Sequence, residues 1–263
     1  MRKRPRISVV GVIGELLITS GLVVLLFIGW QLWFYDSIVG SQLADGAAQQ
    51  SREWNEQATA APTPSAPAEP TDDPSEPTEE PSGPQVVPVQ AAPANAKQFG
   101  AMLVPAWGPD YYVPIAEGVS LGLVLNAGKL GHYPDTQMPG EVGNFALAAH
   151  RTTKGGSLHR IHELKLGDHI YVETADGWYQ YSFRNLEYVR PTGVGVIDPV
   201  PQDPTATPSE RYITLTSCNP IIGSFERIIA YGIFDRFYPR DPSAPAFGAP
   251  EEIARTVTGT VDS

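Results

Sequence analysis

The chain has 263 residues and a formal net charge of -11, enough length for one sizeable domain but with a composition too uneven for all of it to be globular. Six acidic residues and no basic ones fall within 59–95, more acids follow Arg240, and the middle of the chain is only mildly acidic. No basic stripe or patch is available, which argues against nucleic-acid binding.

In chain order, residues 1–6 are basic through Arg2, Lys3, Arg4 and Arg6, and an apolar run at 7–30 carries one charge, Glu15. As a helix this run spans roughly 36 Å at about 1.5 Å per residue, enough to cross a bilayer with some tilt. The basic cluster predicts a cytoplasmic N-terminus, with Trp30, Trp33, Phe34 and Tyr35 as an aromatic belt at the outer interface and the rest of the chain outside. The alternative is a cleaved signal peptide. Against it, the run is long, ends in aromatic residues and is not directly followed by an Ala-x-Ala type site, so it reads as a retained anchor. A carboxyl group in hydrocarbon costs a few kcal/mol unless it is neutral, paired or near the headgroups, and Glu15 needs one of these remedies.

A juxtamembrane segment at 31–57 leads into residues 58–96, dominated by Pro, Ala, Glu, Ser and Thr. With almost no large apolar side chains this stretch cannot bury enough surface to offset chain entropy, and it reads as a linker. In polyproline II form, at roughly 3.1 Å per residue, it reaches on the order of 100 Å and is expected to carry the following domain away from the membrane.

The folded domain is expected at 97–240. Its apolar stretches are short and β-like: 102–104, 111–115, 145–149, 169–172, 179–183, 212–216 and 228–234, with Asp176-Gly177 a hairpin turn between two of them. Residues 157–166 and 118–125 read as short helices. The predicted fold is mostly β, a largely antiparallel barrel with small helical insertions, followed by a flexible tail at 241–263 rich in Pro, Ala and Gly.

Cys218 is the one cysteine, so it forms no intramolecular disulfide and is either a packed small hydrophobe or a reactive thiol. A cysteine nucleophile needs a neighbour that lowers its pKa or takes its proton, and acyl transfer needs an oxyanion donor. Cys218 closes the run Tyr212-Ile213-Thr214-Leu215-Thr216-Ser217 and precedes Asn219-Pro220, which ends a strand. His150 closes the run 145–149 ahead of a polar loop. Arg227 opens the last predicted strand, nine positions after Cys218. Each signal alone has an ordinary structural explanation, a solvated histidine or a surface arginine; it is their coincidence with a lone cysteine that points to chemistry. His159, His162 and His169 have no carboxylate at a metal-binding offset, and no metal site or cofactor is assigned.

Ala148-Ala149-His150-Arg151-Thr152, Thr214-Leu215-Thr216-Ser217-Cys218 and Arg227 together resemble the His, T-L-x-T-C and Arg signatures of the sortase family, across the whole inferred domain. The resemblance implies a closed eight-stranded β-barrel and a transpeptidase whose thiolate cleaves a C-terminal sorting signal after Thr. The resulting acyl-enzyme is resolved by an amine of a cell-wall precursor or pilin. It further implies Cys218 as nucleophile, His150 as general acid/base and Arg227 as oxyanion stabiliser. Ser217 stands where the signature has Thr; it and Thr216 are candidate substrate-binding residues. No motif locates calcium ligands, and no Asp-aromatic element in the linker suggests a lid. Papain-like proteases place Cys before His, and the S-x-G-C element of L,D-transpeptidases is missing. The non-enzymatic alternative is a wall-spanning scaffold or adhesion protein.

Gly131-His132-Tyr133-Pro134, Met138-Pro139-Gly140 and Asn219-Pro220 look most like class E sortases. That resemblance implies a preference for an L-A-x-T-G signal over L-P-x-T-G. Tyr133 is the candidate determinant: its ring can fill the space of a proline ring, and its hydroxyl can bond the peptide N–H that alanine has and proline lacks. A tyrosine that merely packs the loop before the His150 strand is the other reading of this residue.

Overall fold

A computed structural model of the protein describes residues 8–30, 35–60 and 86–259. The basic cluster at 2–6, Trp33, Phe34 and the Pro-rich stretch 61–85 lie outside the described residues. Helix α1 (Val9–Gly29) starts at Ser8, whose Oγ accepts from the Gly11 N–H, and its large apolar side chains are exposed. It is the one helix among the described residues long and apolar enough to cross a membrane.

The domain is a closed barrel of eight strands: β1 (Gln98–Leu103), β2 (Tyr112–Glu117), β3 (Leu130–His132), β4 (Gly143–Ala148), β5 (His169–Glu173), β6 (Gly177–Val189), β7 (Arg211–Asn219) and β8 (Glu226–Pro239). Around the wall they run β1-β2-β3-β4-β7-β8-β6-β5, and β5 closes on β1. Pairing is antiparallel except at β2/β3 and β4/β7. Alternation sorts the side chains: Phe145, Leu147, Ile213, Leu215, Ile228 and Ala230 fill the interior, while residues of the opposite parity face out.

The outer face of β1, β2, β5 and β6 is covered by two helices. Helix α2 (Tyr35–Ala60) was expected only as an unstructured juxtamembrane stretch and the start of a spacer. It lays a stripe with a four-residue repeat, Val39, Leu43, Ala47, Ser51 and Asn55, on the barrel, with Ala47, Ser51, Trp54 and Asn55 buried. Ser51 Oγ donates to Glu173 Oε1 at 2.6 Å. Glu173 also accepts from the Tyr112 hydroxyl and forms a fully buried ion pair with Arg240, 2.6 Å away. Arg240 in turn donates to Asn55 Oδ1 and lies over the Trp178 ring, 4.4 Å from its centroid. Residues 86–96 also rest on the domain, since Tyr179 donates its hydroxyl to the Pro88 carbonyl at 2.9 Å and Gln90 bonds Asp176 at 2.8 Å. The chain is thus in contact with the domain both before residue 61, through α2, and from residue 86 on, so the distance between α1 and the barrel is governed by α2.

Through residue 259 the C-terminal tail is likewise packed on the domain. Helix α3 (Glu251–Thr258) buries Ile253 and Val257 beside Ala47, Tyr171 and Trp178, and Glu252 Oε2 takes bonds of 2.7 Å from both His169 and Tyr171. The short helices expected at 118–125 and 157–166 shrink to single 3-10 turns, Leu125–Ala127 and Ile161–Glu163.

Candidate active site

Strands β4, β7 and β8 lie side by side, and their registers align the three residues singled out by sequence. Cys218 is directly opposite Arg227 in the β7/β8 ladder, which puts their side chains on one face at neighbouring-strand distance. In the parallel β4/β7 ladder Ala148 is level with Thr216, and the Ala149 N–H donates to the Thr216 carbonyl at 3.2 Å. Continuing that register by two residues brings His150 level with Cys218. Interior positions 147, 215 and 228 have the opposite parity, so the row His150, Cys218, Arg227 stands on the outer face at one pole of the barrel. Below it come Ala148, Thr216, Ile229 and then Ala146, Thr214, Tyr231.

This outer strip is covered on one side by the 3-10 turn Val194–Ile197, whose Val196 packs on Ile229 and Tyr231. Asn144 fastens that turn: its buried amide donates to the Val196 and Asp198 carbonyls at 3.1 and 2.9 Å, and its Oδ1 accepts from Thr214 at 2.7 Å. On the other side Tyr133 brings its hydroxyl 2.9 Å from Thr216 Oγ1. The loop carrying Tyr133 is held by buried His132, bonded to Glu117 at 2.7 Å and to the Gln137 carbonyl at 3.1 Å.

Ser217 does not join this strip. Its parity turns it away from Thr216 and Cys218, and its buried hydroxyl donates to the Ala149 carbonyl at 2.8 Å, tying β7 to the chain just before His150.

His150 Nε2 lies 2.9 Å from Asn126 Oδ1. Because a carbonyl oxygen only accepts, this bond places the ring hydrogen on Nε2 and leaves Nδ1 with the lone pair. Partial burial, and then the charge of Lys154, hold its pKa below the ordinary 6.5. Cys218 is half-buried. Arg227 Nη1 donates to the Ser224 and Glu226 carbonyls at 3.0 and 2.9 Å, which fixes the group, and the other guanidinium nitrogens also carry donors. Sequence reasoning missed Arg151: buried beside the cysteine, it donates to Asn219 Oδ1 and, at 3.5 Å, to the Cys218 carbonyl, while its Nε has no hydrogen-bond partner. Its position directly after His150 was the available signal. No group of three His, Cys, Asp or Glu suited to a metal occurs among the described residues.

A half-buried thiol in line with an imidazole and a guanidinium is equipped for acyl transfer, and the sequence match to a known domain agrees. Residues 102–234 match the sortase domain model. The chain belongs to the sortase family. Members of this family are cysteine transpeptidases. The chain is 33% identical to Sortase SrtE1 of Streptomyces coelicolor over 92% of its own length, and it spans 62% of the length of that relative. The SrtA sortase from Actinomyces oris superposes with a TM-score of 0.59 at 38% identity, covering 66% of this chain and 96% of its own. Sortase E1 from Streptomyces coelicolor, solved with a tripeptide in the active site, superposes with a TM-score of 0.54 at 36% identity, covering 60% of this chain and 97% of its own. These similarities place the chain with class E-like sortases.

Proposed function

We propose that this chain is a membrane-anchored sortase that cleaves a C-terminal sorting signal after Thr and transfers the secreted protein to an amine, with α1 as the anchor and the barrel outside the cell. The row His150, Cys218, Arg227 is the observation that carries this reading. The Cys218 thiolate attacks the Thr carbonyl carbon, and the oxyanion that forms faces the Arg227 guanidinium. His150, holding the proton it has taken from the Cys218 thiol, delivers it to the departing Gly amine as the C–N bond breaks, leaving a thioester on Cys218. An acceptor amine, from a cell-wall precursor or a pilin lysine, then attacks the thioester, loses its proton to His150 and releases the thiolate.

The signal peptide docks beside Cys218, on the side flanked by Tyr133 and the turn Val194–Ile197. A peptide occupying the active site of the Streptomyces coelicolor sortase E1 supports this placement. When the Tyr133 hydroxyl donates to Thr216, its lone pairs stay available for a peptide N–H, which favours alanine over proline at the second signal position. Mass spectrometry of the protein mixed with an L-A-x-T-G peptide tests the assignment. Wild type gains the mass of the acyl fragment on Cys218, Cys218→Ala and His150→Ala gain none, and Arg227→Ala accumulates it far more slowly with an unchanged circular dichroism spectrum. Peptide turnover by Cys218→Ala would refute it, and peptide binding by wild type with no adduct and no turnover would favour a scaffold whose barrel only binds.

A further inference from the structure

The docking of α2 decides which end of the barrel lies near the anchor. Close to its start, Val39 and Leu43 press on Gly155 and Gly128. These glycines have φ of +90° and +80°, and an added Cβ would come within 3.0 Å of Val39 Cγ1 at Gly155 and 2.7 Å of Leu43 Cδ1 at Gly128. Gly155 follows Lys154, whose charge acts on His150, and Gly128 closes the turn that carries Asn126, the partner of His150. The far end of α2 lies at the opposite pole, where Asn55 meets Arg240. Residues 31–34 are all that separate Trp30 from Tyr35, a stretch bridging at most about 18 Å. Val39 is about 6 Å into α2 and Asn55 about 24 Å beyond that. The His150 pole is thus tethered within roughly 25 Å of the end of α1.

That same pole presents large apolar side chains to solvent. Between Cys218 and Arg227, Ile222 is 90% exposed and Phe225 78%, with Ile221 beside them at 41%; Leu121 and Leu123, in the turn ahead of Asn126, are each 63% exposed. Lys154 is exposed next to them. Aliphatic and aromatic side chains flanked by lysine are the residues that enter a headgroup layer.

We propose that the rim around Cys218 is a membrane-contact surface, with Ile222 and Phe225 inserted into the interfacial layer of the bilayer that holds α1. This rests on the reading of α1 as an anchor. The occupant is a lipid surface because the chain itself keeps this rim beside one, and because α2 fixes which pole is turned towards it. Cleavage and transfer then take place at the level of the headgroups, within reach of an acceptor amine carried on a lipid.

The full chain in vesicles of phosphatidylethanolamine and phosphatidylglycerol provides the test. In a Cys218→Ser background, a single environment-sensitive fluorophore is attached through Ile222→Cys, Phe225→Cys or, at the opposite pole, Ala175→Cys. Melting by circular dichroism confirms that each variant is folded. A shallow doxyl-labelled lipid should quench the probe at 222 and 225 at least about threefold more than at 175. Val39→Asp with Leu43→Asp, which frees this end of α2, should reduce that difference at least twofold. Equal quenching at all three sites overturns the proposal, as does a blue shift at 222 without lipid quenching, which marks a protein partner or a second copy. Extraction of the chain from the vesicles by alkaline carbonate overturns the anchor reading itself, and this proposal with it.

Discussion

Replacing Arg240 by Met breaks the buried ion pair that joins α2, β5 and the end of β8. The side chains of Arg240 and Glu173 are 2% and 0% exposed, so solvent does not screen them, and the loss leaves a carboxylate held only by the Ser51 and Tyr112 hydroxyls. Stranding one member of such a pair costs about 3 to 5 kcal/mol. For a folded unit of this size that lowers Tm by about 6 to 20 °C. Thermal unfolding followed by circular dichroism measures the loss, and a double-mutant cycle apportions it. Glu173→Leu alone should cost a similar amount, and the double variant Glu173→Leu/Arg240→Met should recover much of it, because an apolar pair leaves no stranded charge. Peptide turnover at 20 °C should stay within about twofold of wild type, since Arg240 is some 40 Å of strand away from Arg227. A loss below about 1 kcal/mol in Arg240→Met, or strict additivity in the double variant, would refute the reasoning.

The depressed pKa of His150 makes two predictions of definite sign. The unfolded chain takes the proton first as pH falls, so stability is level above pH 6.5 and declines below it until the folded pKa is passed, and His150→Gln should lack this decline in a pH series of Tm. For kcat/KM with a signal peptide the acid limb should lie below pH 6.5, and Lys154→Gln should move it upward; a limb unmoved in that variant sinks the assignment. Tyr133→Phe should lose the preference for L-A-x-T-G over L-P-x-T-G, which one hydrogen bond and shape set at roughly tenfold. Equal turnover of the two peptides by wild type removes that preference altogether, while an unchanged preference in the variant removes only the hydroxyl.

Seven of the strands were legible in the sequence as short apolar or alternating stretches, whereas the three-residue β3 (Leu130–His132) is too short to carry a pattern, and the closed eight-stranded form came from the family resemblance. His150, Cys218 and Arg227 were legible because strand ends mark them. Helix α2 was not, since its buried stripe runs through Ala47, Ser51 and Asn55, small or polar residues with little hydrophobic contrast, and the groups that Ser51 and Asn55 meet, Glu173 and Arg240, come from distant parts of the chain. Helix α3 announces itself only through Ile253 and Val257, four apart within eight residues. Ser217 was assigned by its motif, whereas alternation from Leu215 already placed it on the interior face. The parallel β4/β7 neighbours could not be read from local pattern, because strand direction is settled by the crossover through β5 and β6.

That parallel pair has a consequence for how the site is kept in tune. Two parallel strands behave like a pair of rulers laid together, and a slip of one division would both displace His150 by about 3.3 Å and rotate it to the other face. The zero mark is at their opposite end, where the Gly143 N–H meets the Glu210 carbonyl at 2.8 Å, Thr214 meets Asn144 at 2.7 Å and Arg211 Nε reaches the Gly140 carbonyl at 2.7 Å. Residues about 20 Å from the thiol thus calibrate how His150 meets Cys218, and a search for substitutions that quiet the enzyme without touching its pole begins at Asn144 and Arg211.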